Sequence, residues 1–277
     1  RNKGAEWQSV QVFGQEVNGL TSSIAQMNLY LNGVEDFSIA CADTLEHPAF
    51  LDGSHLRKFD IVLANPPYSI KEWNREKFMN DKWGRNFLGT PPQGRADYAF
   101  LQHIIASMNE TQGRCAILFP HGVLFRDEEL ELRKKLVEMD ILDCIIGLGA
   151  NLFYNSPMEA CILICNCSKA NSKKNRVLMI NAVNEVTRKN AESMLLAEHI
   201  QRIVNAYQQN RELDGFSRIV SNDEIREKKF NLNISLYAYQ SVLQDALTVS
   251  KEDAINVWIS SHSQCINEMD ELIKLIK

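Results

Sequence analysis

The chain has 277 residues, 45% of them hydrophobic, and carries a formal net charge of −5 at pH 7. This size allows one large domain with a buried core, or one domain with an extension. The acidic balance excludes binding of nucleic acid through overall charge, so any such contact needs a local basic patch or the surface of a partner. The seven cysteines, an odd number, are typical of a reducing cytosol rather than of a disulfide scaffold.

Two further patterns bear on location and on metal binding. The sequence shows no signal peptide and no apolar run of the roughly 18 residues that a membrane span needs, so we expect a soluble, cytoplasmic protein. Cys161, Cys165 and Cys167 would share one face of a strand, a pattern that also fits a metal site. Because no histidine lies nearby, we interpret them as small buried apolar residues and expect no metal.

Seven short apolar runs have the length of β-strands and are mostly rich in Val, Ile and Phe. Their hydrophobicity is continuous rather than alternating, which indicates strands buried on both faces, as in a parallel sheet covered by helices. The runs are, in chain order, SVQVFG (9–14), FSIACA (37–42), FDIVLA (59–64), CAILFP (115–120), LDCIIGL (142–148), ACILICN (160–166) and VLMI (177–180).

Helical patterns separate these runs. Leu20, Ile24, Met27 and Leu31 recur at helical spacing before Gly33, which predicts a helix that stops there. Two more helices are predicted, over 97–109 and over 126–139, the second with acids first and bases last. Alternating strands and helices favour an open, doubly wound α/β sheet.

Strand signals fade after about residue 183. A helical pattern covers 191–210, and SNDEI (221–225) is typical of a cap that leads into a short helix. Within 250–277 an apolar stripe recurs at alternating spacings of three and four. Such a stripe fits a helix packed on its own domain or one that binds a partner, and the sequence leaves both open.

Polar residues follow several strands, at the edge where doubly wound sheets bind ligands. Glu16 follows the first apolar run, Asp43 follows the second, and His121 follows the fourth. A carboxylate after a strand of a nucleotide-binding unit can accept from both ribose hydroxyls, and Asp43 could accept from an adenine amino group. Solvated acids are common at strand ends, so these residues alone decide little. A structural role is the simpler interpretation of His121, and also of Asp97.

The segment Asn65-Pro66-Pro67-Tyr68 directly follows the third run. The side-chain oxygen of Asn65 and the peptide oxygen of Pro66 can converge on one exocyclic NH2 group, because the two prolines fix the backbone path. Tyr68 adds a flat ring on which a flipped-out base can stack. The alternative is a proline-rich turn that caps a strand. The preceding acids favour the functional interpretation.

These residues and several further segments resemble one family. NPPY is similar to the catalytic motif of amino-group DNA methyltransferases that use S-adenosylmethionine. The likeness spans roughly residues 10–240 and is to the modification subunit of type I restriction–modification systems. It is carried, in order, by FGQEVNGLTSSIAQMNLYLNG, ADTL, FDIVLANPPYS, PPQGRADYAFLQHI, GRCAILFPHGVLFR, LRKKLVEMDILDCIIGLGANLFY, DGFSRIVSNDEI and FNLNISLY.

The resemblance implies a Rossmann-like S-adenosylmethionine-dependent methyltransferase sheet and transfer of a methyl group to adenine N6 in DNA. By position, Glu16 matches the residue that binds the cofactor's ribose, and Asp43, with Thr44 beside it, matches the residue near its adenine. Asn65, which also borders the cofactor, joins Pro66, Pro67 and Tyr68 around the target adenine. Implied partners are DNA, a specificity subunit and, as a further candidate, the restriction subunit; no membrane is implied.

The same resemblance predicts how the chain is divided into segments, and it also shows where this sequence differs from the family. We expect the catalytic domain over 1–182, a mainly helical family-specific extension over 183–240 and an amphipathic helix over 241–277. The family's first strand and the glycine-rich loop after it have no counterpart in this sequence. We therefore expect two unpaired strand edges and a C-terminal portion of a methylase that is inactive alone.

Two alternatives to this function stay open. One is a methyltransferase with the same motif that acts on RNA or on a protein glutamine; PPQGRADYAF and DGFSRIVS argue against it. The other is a truncated remnant without activity that serves assembly or interaction.

A smaller question concerns the basic residues of 71–95, which could lie along a DNA backbone or belong to a solvated loop. They are Lys71, Arg75, Lys77, Lys82, Arg85 and Arg95.

Overall fold

The computed structural model describes residues 10–153, 157–189, 192–239 and 255. The chain divides into two compact units, 1–239 and 240–277, and every helix and strand below belongs to the first. The helix predicted over 241–277 lies outside the described residues, apart from Ile255. The predicted boundary at 182/183 stays a prediction.

Twelve strands and six α-helices are present in the described part of the first unit. The strands are β1 (Val12–Glu16), β2 (Phe37–Cys41), β3 (Leu51–Asp52), β4 (His55–Leu56), β5 (Ile61–Ala64), β6 (Arg114–Pro120), β7 (Leu142–Leu148), β8 (Ala160–Asn166), β9 (Arg176–Ala182), β10 (Thr187–Lys189), β11 (Glu192–Met194) and β12 (Ser217–Ser221). The helices are α1 (Gly19–Leu31), α2 (Arg75–Met79), α3 (Asp97–Ala106), α4 (Leu130–Glu138), α5 (Ala197–Gln209) and α6 (Asn222–Glu227).

Six strands form the central sheet, in the order β12-β9-β7-β8-β6-β5. All seven predicted strands exist, but the sheet is mixed rather than purely parallel. β5 runs parallel to β6 and β7 parallel to β9, whereas β8 is antiparallel to both of its neighbours and β12 to β9. Continuous hydrophobicity does not report strand direction, and the expected burial on both faces holds for β7 but not for β5, where two of the four residues are exposed. The connection over 149–159 shows no helix in its described residues, as suits an antiparallel pair.

Helices cover both faces of the sheet, as the alternating pattern predicts. On one face α3, α4 and α6 enclose the larger core, around fully buried residues such as Ile117, Leu136 and Ile145. On the other face α5 covers β7 and β9 through Ile203 and Ala206. Because α5 lies towards the β9 side, the strands at the opposite edge, β5 and β6, have one face with little helical cover.

The strands β1 and β2 form a separate parallel pair, packed against α1. Within the described residues no backbone ladder joins β1 to β5. Aromatic packing connects the start of β1 with the residues just before β5, where the Phe13 ring lies 5.4 Å from that of Phe59. On the open face of β5, Ile61 is 69% exposed and Leu63 is 75% exposed. In the described residues β1 pairs only with β2 and β5 only with β6, so the expected unpaired edges are present there.

The apolar side of α1 is exposed together with that edge. Leu20, Ile24, Met27 and Leu31 form the predicted helix, yet each is 59–75% exposed. Apolar side chains at helical spacing normally face a core, so this stripe marks a surface that the described residues leave uncovered.

The segment from residue 183 to 239 contains more strand than the sequence indicates. Helices α5 and α6 are present, and the Ser221 hydroxyl accepts from the Glu224 amide (3.1 Å), which confirms the predicted cap. The strand β12 was missed, although it pairs along its length with β9, and so were β10 and β11. Among the described helices, none combines the length and apolarity that crossing a membrane requires.

The cysteines of β8 are core residues. Cys161 and Cys165 are fully buried in the larger core, which confirms the structural interpretation of these two side chains. Burial raises the pKa of the Cys161 thiol, and the Cys115 thiol together with burial raises that of Cys165, so neither favours the thiolate that binds metal. In the described part of the chain, no three His, Cys, Asp or Glu side chains are grouped for a metal ion.

Thiol labelling tests this arrangement. In the native protein we expect a maleimide to modify the exposed Cys41 rapidly, and Cys115, Cys144, Cys161 and Cys165 only after unfolding, because those four are at most 2% exposed. Peptide mapping by mass spectrometry assigns each site. Labelling of Cys161 at the rate of Cys41 under native conditions would contradict the described packing of β8.

Candidate functional site

The corner after β5 presents two free oxygen acceptors. Asn65 is exposed, and neither its side-chain amide nor the Pro66 carbonyl has a hydrogen-bond partner among the described residues. The Pro66 ring is buried, whereas Pro67 is exposed. The two prolines restrict the backbone, so both acceptors are held without a protein donor to satisfy them. Such an arrangement is suited to a ligand that carries N–H groups.

An open pocket of about 340 Å³ adjoins Asn65. Its lining comes from β5, β6 and β8 and is mainly apolar: Leu63, Ala64, Asn65, Ala116, Leu118 and Ile162. This volume lies in the range of small-molecule sites, about 300–1,000 Å³. Tyr68 does not line it, so the pocket lies beside the corner and does not enclose it.

Tyr68 stands half-buried on the other side of the corner. Burial chiefly, followed by the neighbouring Cys161 and Asp97, raises the pKa of its phenol, so the ring is neutral at physiological pH. A neutral, partly exposed aromatic ring beside two acceptors can stack on a flat heterocycle. Asn65 and Tyr68 are therefore not packed away in the interior.

Glu16 and Asp43 lie at the carboxyl ends of the paired strands β1 and β2. The half-buried Glu16 accepts from the Asn18 amide through Oε1 (2.8 Å). Asp43 is exposed, and its Oδ1 accepts from the Leu45 and Glu46 amides (2.7 and 3.1 Å). Each carboxylate thus orders its own turn with one oxygen, while its other oxygen has no partner among the described residues. Thr44 is half-buried, and its carbonyl oxygen accepts from an arginine described below.

Packing places these residues and the Asn65 corner on one edge of the fold. The start of β1 and the residues just before β5 meet through Phe13 and Phe59. Beyond the last residues of β2 and β5, Leu45 packs with Phe78 and Ile70 in a small cluster. Contacts at both ends align the two pairs of strands. Glu16 and Asp43 thus follow the strands of the β1–β2 pair, and Asn65 follows β5, the edge strand of the central sheet.

Comparison with known proteins connects this geometry to a family. The family model described as N-6 DNA Methylase matches residues 1–246. The chain belongs to this family. It is 32% identical over 266 residues to a type I restriction enzyme methylase subunit (MjaVII) of Methanocaldococcus jannaschii, covering 91% of this chain and 44% of the relative. A Mycoplasma pneumoniae methylase subunit (MpnII) is 30% identical, with 87% and 45% covered.

A solved structure agrees. The type I restriction–modification methyltransferase subunit of Streptococcus thermophilus is 37% identical, with a TM-score of 0.76, and the match covers 83% of this chain and 49% of that one. The fold is thus the Rossmann-like α/β fold of a methyltransferase subunit. The chain spans less than half the length of these curated relatives.

A buried ion pair, missed by the sequence analysis, joins two of the loops that carry the candidate site residues. Arg85 and Asp81 each have a side chain that is 1% exposed, and two nitrogens of Arg85 lie 2.7–2.9 Å from Oδ1 of Asp81. Arg85 also donates to the carbonyl oxygens of Thr44 (2.9 Å) and Leu45 (2.7 Å). The guanidinium thus holds the turn that carries Asp43 against the segment that follows Tyr68.

This burial removes Arg85 from the candidate DNA contacts. The guanidinium also lies 4.8 Å from the centre of the Trp83 ring and 3.3 Å from Nδ1 of His103. Burial and then Arg85 lower the pKa of His103 to about 3, so the ring is neutral and can accept. The alternatives for the other five basic residues stay open, although Arg75, Lys77 and Arg95 already contact protein acceptors.

A second polar cluster lies behind Tyr68. Asp97 opens α3 and is 1% exposed; it pairs with Arg126 (2.9 Å), which also lies 3.6 Å from the fully buried Glu129. Asp97 is therefore a structural acceptor, as expected, and not a helix cap, since Ala96 occupies that position.

His121 lies outside the cluster. Burial lowers its pKa and Glu159 opposes that shift, and its buried Nε2 has no partner among the described residues.

Glu129 predicts a pH dependence of stability. Burial raises its pKa from 4.5 to about 7, and neither carboxylate oxygen has a hydrogen bond. The unfolded chain ionises this group above pH 4.5 and the folded protein only near pH 7. Its contribution to the free energy of unfolding, about 3 kcal/mol, is therefore present at low pH and lost as the pH rises from 4.5 to 7.

The measurement is denaturant unfolding at several pH values. We expect Glu129→Gln to remove this decline, so the difference in unfolding free energy from wild type changes by about 3 kcal/mol across the window. Glu131→Gln, an exposed residue of α4, is the matched control and should follow wild type. Parallel profiles for Glu129→Gln and wild type would show that Glu129 is ionised in both states.

Proposed function

We propose that the chain is the part of a type I methylation subunit that grips the target base, for transfer of a methyl group from S-adenosylmethionine to adenine N6 in DNA. The observation that carries this proposal is the rigid Asn65-Pro66 corner, with two unsatisfied oxygen acceptors next to the Tyr68 ring, in a chain of the N-6 DNA methylase family. Six free cysteines among the described residues suit a reducing compartment, and we assign the reaction to the cytoplasm.

The corner would act by positioning. The two N–H groups of the adenine amine donate to the Asn65 side-chain oxygen and the Pro66 carbonyl, which favours a pyramidal nitrogen with a localised lone pair. Tyr68 stacks on the extruded base and recovers part of the few kcal/mol that unstacking costs. Bound S-adenosylmethionine supplies a methyl group on a positively charged sulfur. Asn65 fixes the nitrogen in line with that group, so geometry and not a strong base lowers the barrier.

The residues present fit the adenosine half of the cofactor. Glu16 keeps Oε2 free for a ribose hydroxyl, and Asp43 keeps Oδ2 free for the adenine amino group. Thr44 lies beside Asp43 in a turn that Arg85 immobilises. Within the described residues, the gap between β1 and β5 carries no group that would hold the methionine half.

Partners follow from the charge and the relatives' names. The net charge of −5 favours delegating sequence reading to a specificity subunit, so that this chain needs only local contacts with DNA. The relatives are methylase subunits of type I restriction enzymes, and we propose the same assembly here, with the restriction subunit as a further partner.

Asn65→Ala tests the proposal in the assembled methyltransferase. We expect methyl transfer to fall by about a hundredfold or more, as when one preorganised polar group is removed, while the affinity for S-adenosylmethionine stays within a few-fold. Transfer of a radiolabelled methyl group to duplex DNA and cofactor titration calorimetry measure the two effects. Asn80→Ala, an exposed residue at the end of α2, is the matched control.

The same assay separates the alternatives. Transfer by the wild-type assembly to RNA or to a protein glutamine, but not to DNA, would replace the proposed substrate. No transfer to any of these would favour an assembly module. A large loss of cofactor affinity in Asn65→Ala would mean that Asn65 serves the cofactor and not the base.

We expect the 277-residue chain by itself to transfer no methyl group, because in the described residues the edges of β1 and β5 are unpaired and no group between them would hold the methionine half of the cofactor. Calorimetry should detect no binding of S-adenosylmethionine to this chain, and binding should appear when a strand and glycine-rich loop precede it. Robust methylation of DNA by the chain alone would refute this expectation.

A further inference from the structure

The residue after Tyr68 has an unusual backbone. Ser69 has φ of +49°, in the left-handed region that L-residues other than glycine, asparagine and aspartate rarely adopt. It has this conformation directly after the corner formed by Pro66 and Pro67. A left-handed residue here redirects the chain directly after Tyr68, so an anchor at Ser69 also restrains the backbone that carries the Tyr68 ring. Such a conformation persists only where surrounding contacts over-determine it.

Asp97 supplies those contacts. Its Oδ1 accepts from the Ser69 amide (2.8 Å) and its Oδ2 accepts from the Ser69 hydroxyl (3.1 Å). The carboxylate is 1% exposed in the first turn of α3, where the helix dipole favours a negative charge. The backbone amide and the hydroxyl of Ser69 are therefore both held by one buried side chain, which is 28 residues distant in sequence.

Arg126 fixes Asp97 in turn. Its Nη1 donates to Oδ2 of Asp97 (2.9 Å) and its Nη2 donates to the Ser69 hydroxyl (3.3 Å). The guanidinium lies across Gly122, where a Cβ atom would come within 2.5 Å of Nε of Arg126. Gly122 thus makes room for the arginine. The loops after β5 and β6 and the start of α3 are joined at one point.

We propose that Asp97, held by Arg126, is the positioning residue that keeps Ser69 left-handed and so aims the Tyr68 ring at the extruded adenine. The proposal rests on the proposed function for its consequence in catalysis, but its conformational part does not. Asp97 touches neither base nor cofactor; it acts through the backbone of Ser69.

The test uses Asp97→Asn, which keeps the side chain's volume. Both carboxylate oxygens of Asp97 accept hydrogen bonds, from Ser69 and from Arg126. The asparagine amide has only one acceptor oxygen, so at least one of these contacts is lost. Hydrogen exchange of the peptide over 65–69, measured by mass spectrometry on the chain itself, should show faster exchange, because Pro66 and Pro67 have no N–H and only the Tyr68 and Ser69 amides report there. In the assembled methyltransferase, turnover should fall by up to about a hundredfold with cofactor affinity unchanged, because the stacking ring is misplaced.

Additional variants distinguish an effect of Asp97 on the position of the Tyr68 ring from an effect on the stability of the whole fold. In the Asp97→Asn background, Ser69→Gly should recover part of the turnover, because glycine adopts a positive φ without an anchor, whereas Ser69→Ala should not. Asp143→Asn is the matched control. This carboxylate, 3% exposed in β7, accepts from the Tyr207 hydroxyl (2.8 Å), and its loss should lower the melting temperature without changing turnover.

The outcomes are distinct. Unchanged exchange of the Ser69 amide in Asp97→Asn overturns the proposal, whether or not the wild-type assembly is active. Faster exchange with full turnover, or equal turnover of the glycine and alanine double variants, overturns it as well. A wild-type assembly that transfers no methyl group to DNA refutes the proposed function, while the exchange result still decides the conformational part.

Discussion

The four-residue parallel ladder between β5 and β6 holds the candidate site in place. β5 is paired on one side only in the described residues, so its carboxyl end, where Asn65 stands, is registered against the sheet through β6 alone. β6 is anchored much better, because its other edge pairs with β8 along seven residues. Register in a strand also fixes which face each side chain takes. Val62 and Ala64 therefore contact the core, while Leu63 and Asn65 face the open pocket.

Two arginine–carboxylate clusters extend that support beyond the strand ends. Arg85 with Asp81 holds the turn after β2, and Arg126 with Asp97 holds the turn after β5. Guanidinium groups suit this task, since several N–H donors in a fixed plane can join separate loops at once. Loops carry the ligand-facing groups of the fold but have little regular structure of their own. Buried charged clusters give them rigidity that a strand or helix would obtain from its own hydrogen bonds.

The sequence predicted the elements better than their arrangement. Continuous apolar runs located all seven predicted strands, although only β6, β7, β8 and β9 are largely buried and β1, β2 and β5 are partly exposed. The same pattern could not show that β8 is antiparallel, and it missed β12, whose SRIVS has polar residues at both ends. In the site, Asn65 and Tyr68 were found from the motif. Arg85 was not, because a buried, paired arginine and a solvated one look alike in sequence; only the nearby Asp81 could have suggested a partner.

The apolar stripe of α1 illustrates a deeper limit. Sequence reports what a side chain is suited to contact, whereas the structure shows what it contacts. Leu20 and Leu31 are suited to burial and are exposed, as is Leu63 across the gap between β1 and β5. The acids suited to the cofactor's adenosine half follow β1 and β2, and the oxygens suited to the target base follow β5. In the proposed reaction the sulfonium methyl group and the adenine nitrogen must lie in line about 3–3.5 Å apart, so the width of this gap decides whether the two ligands can meet.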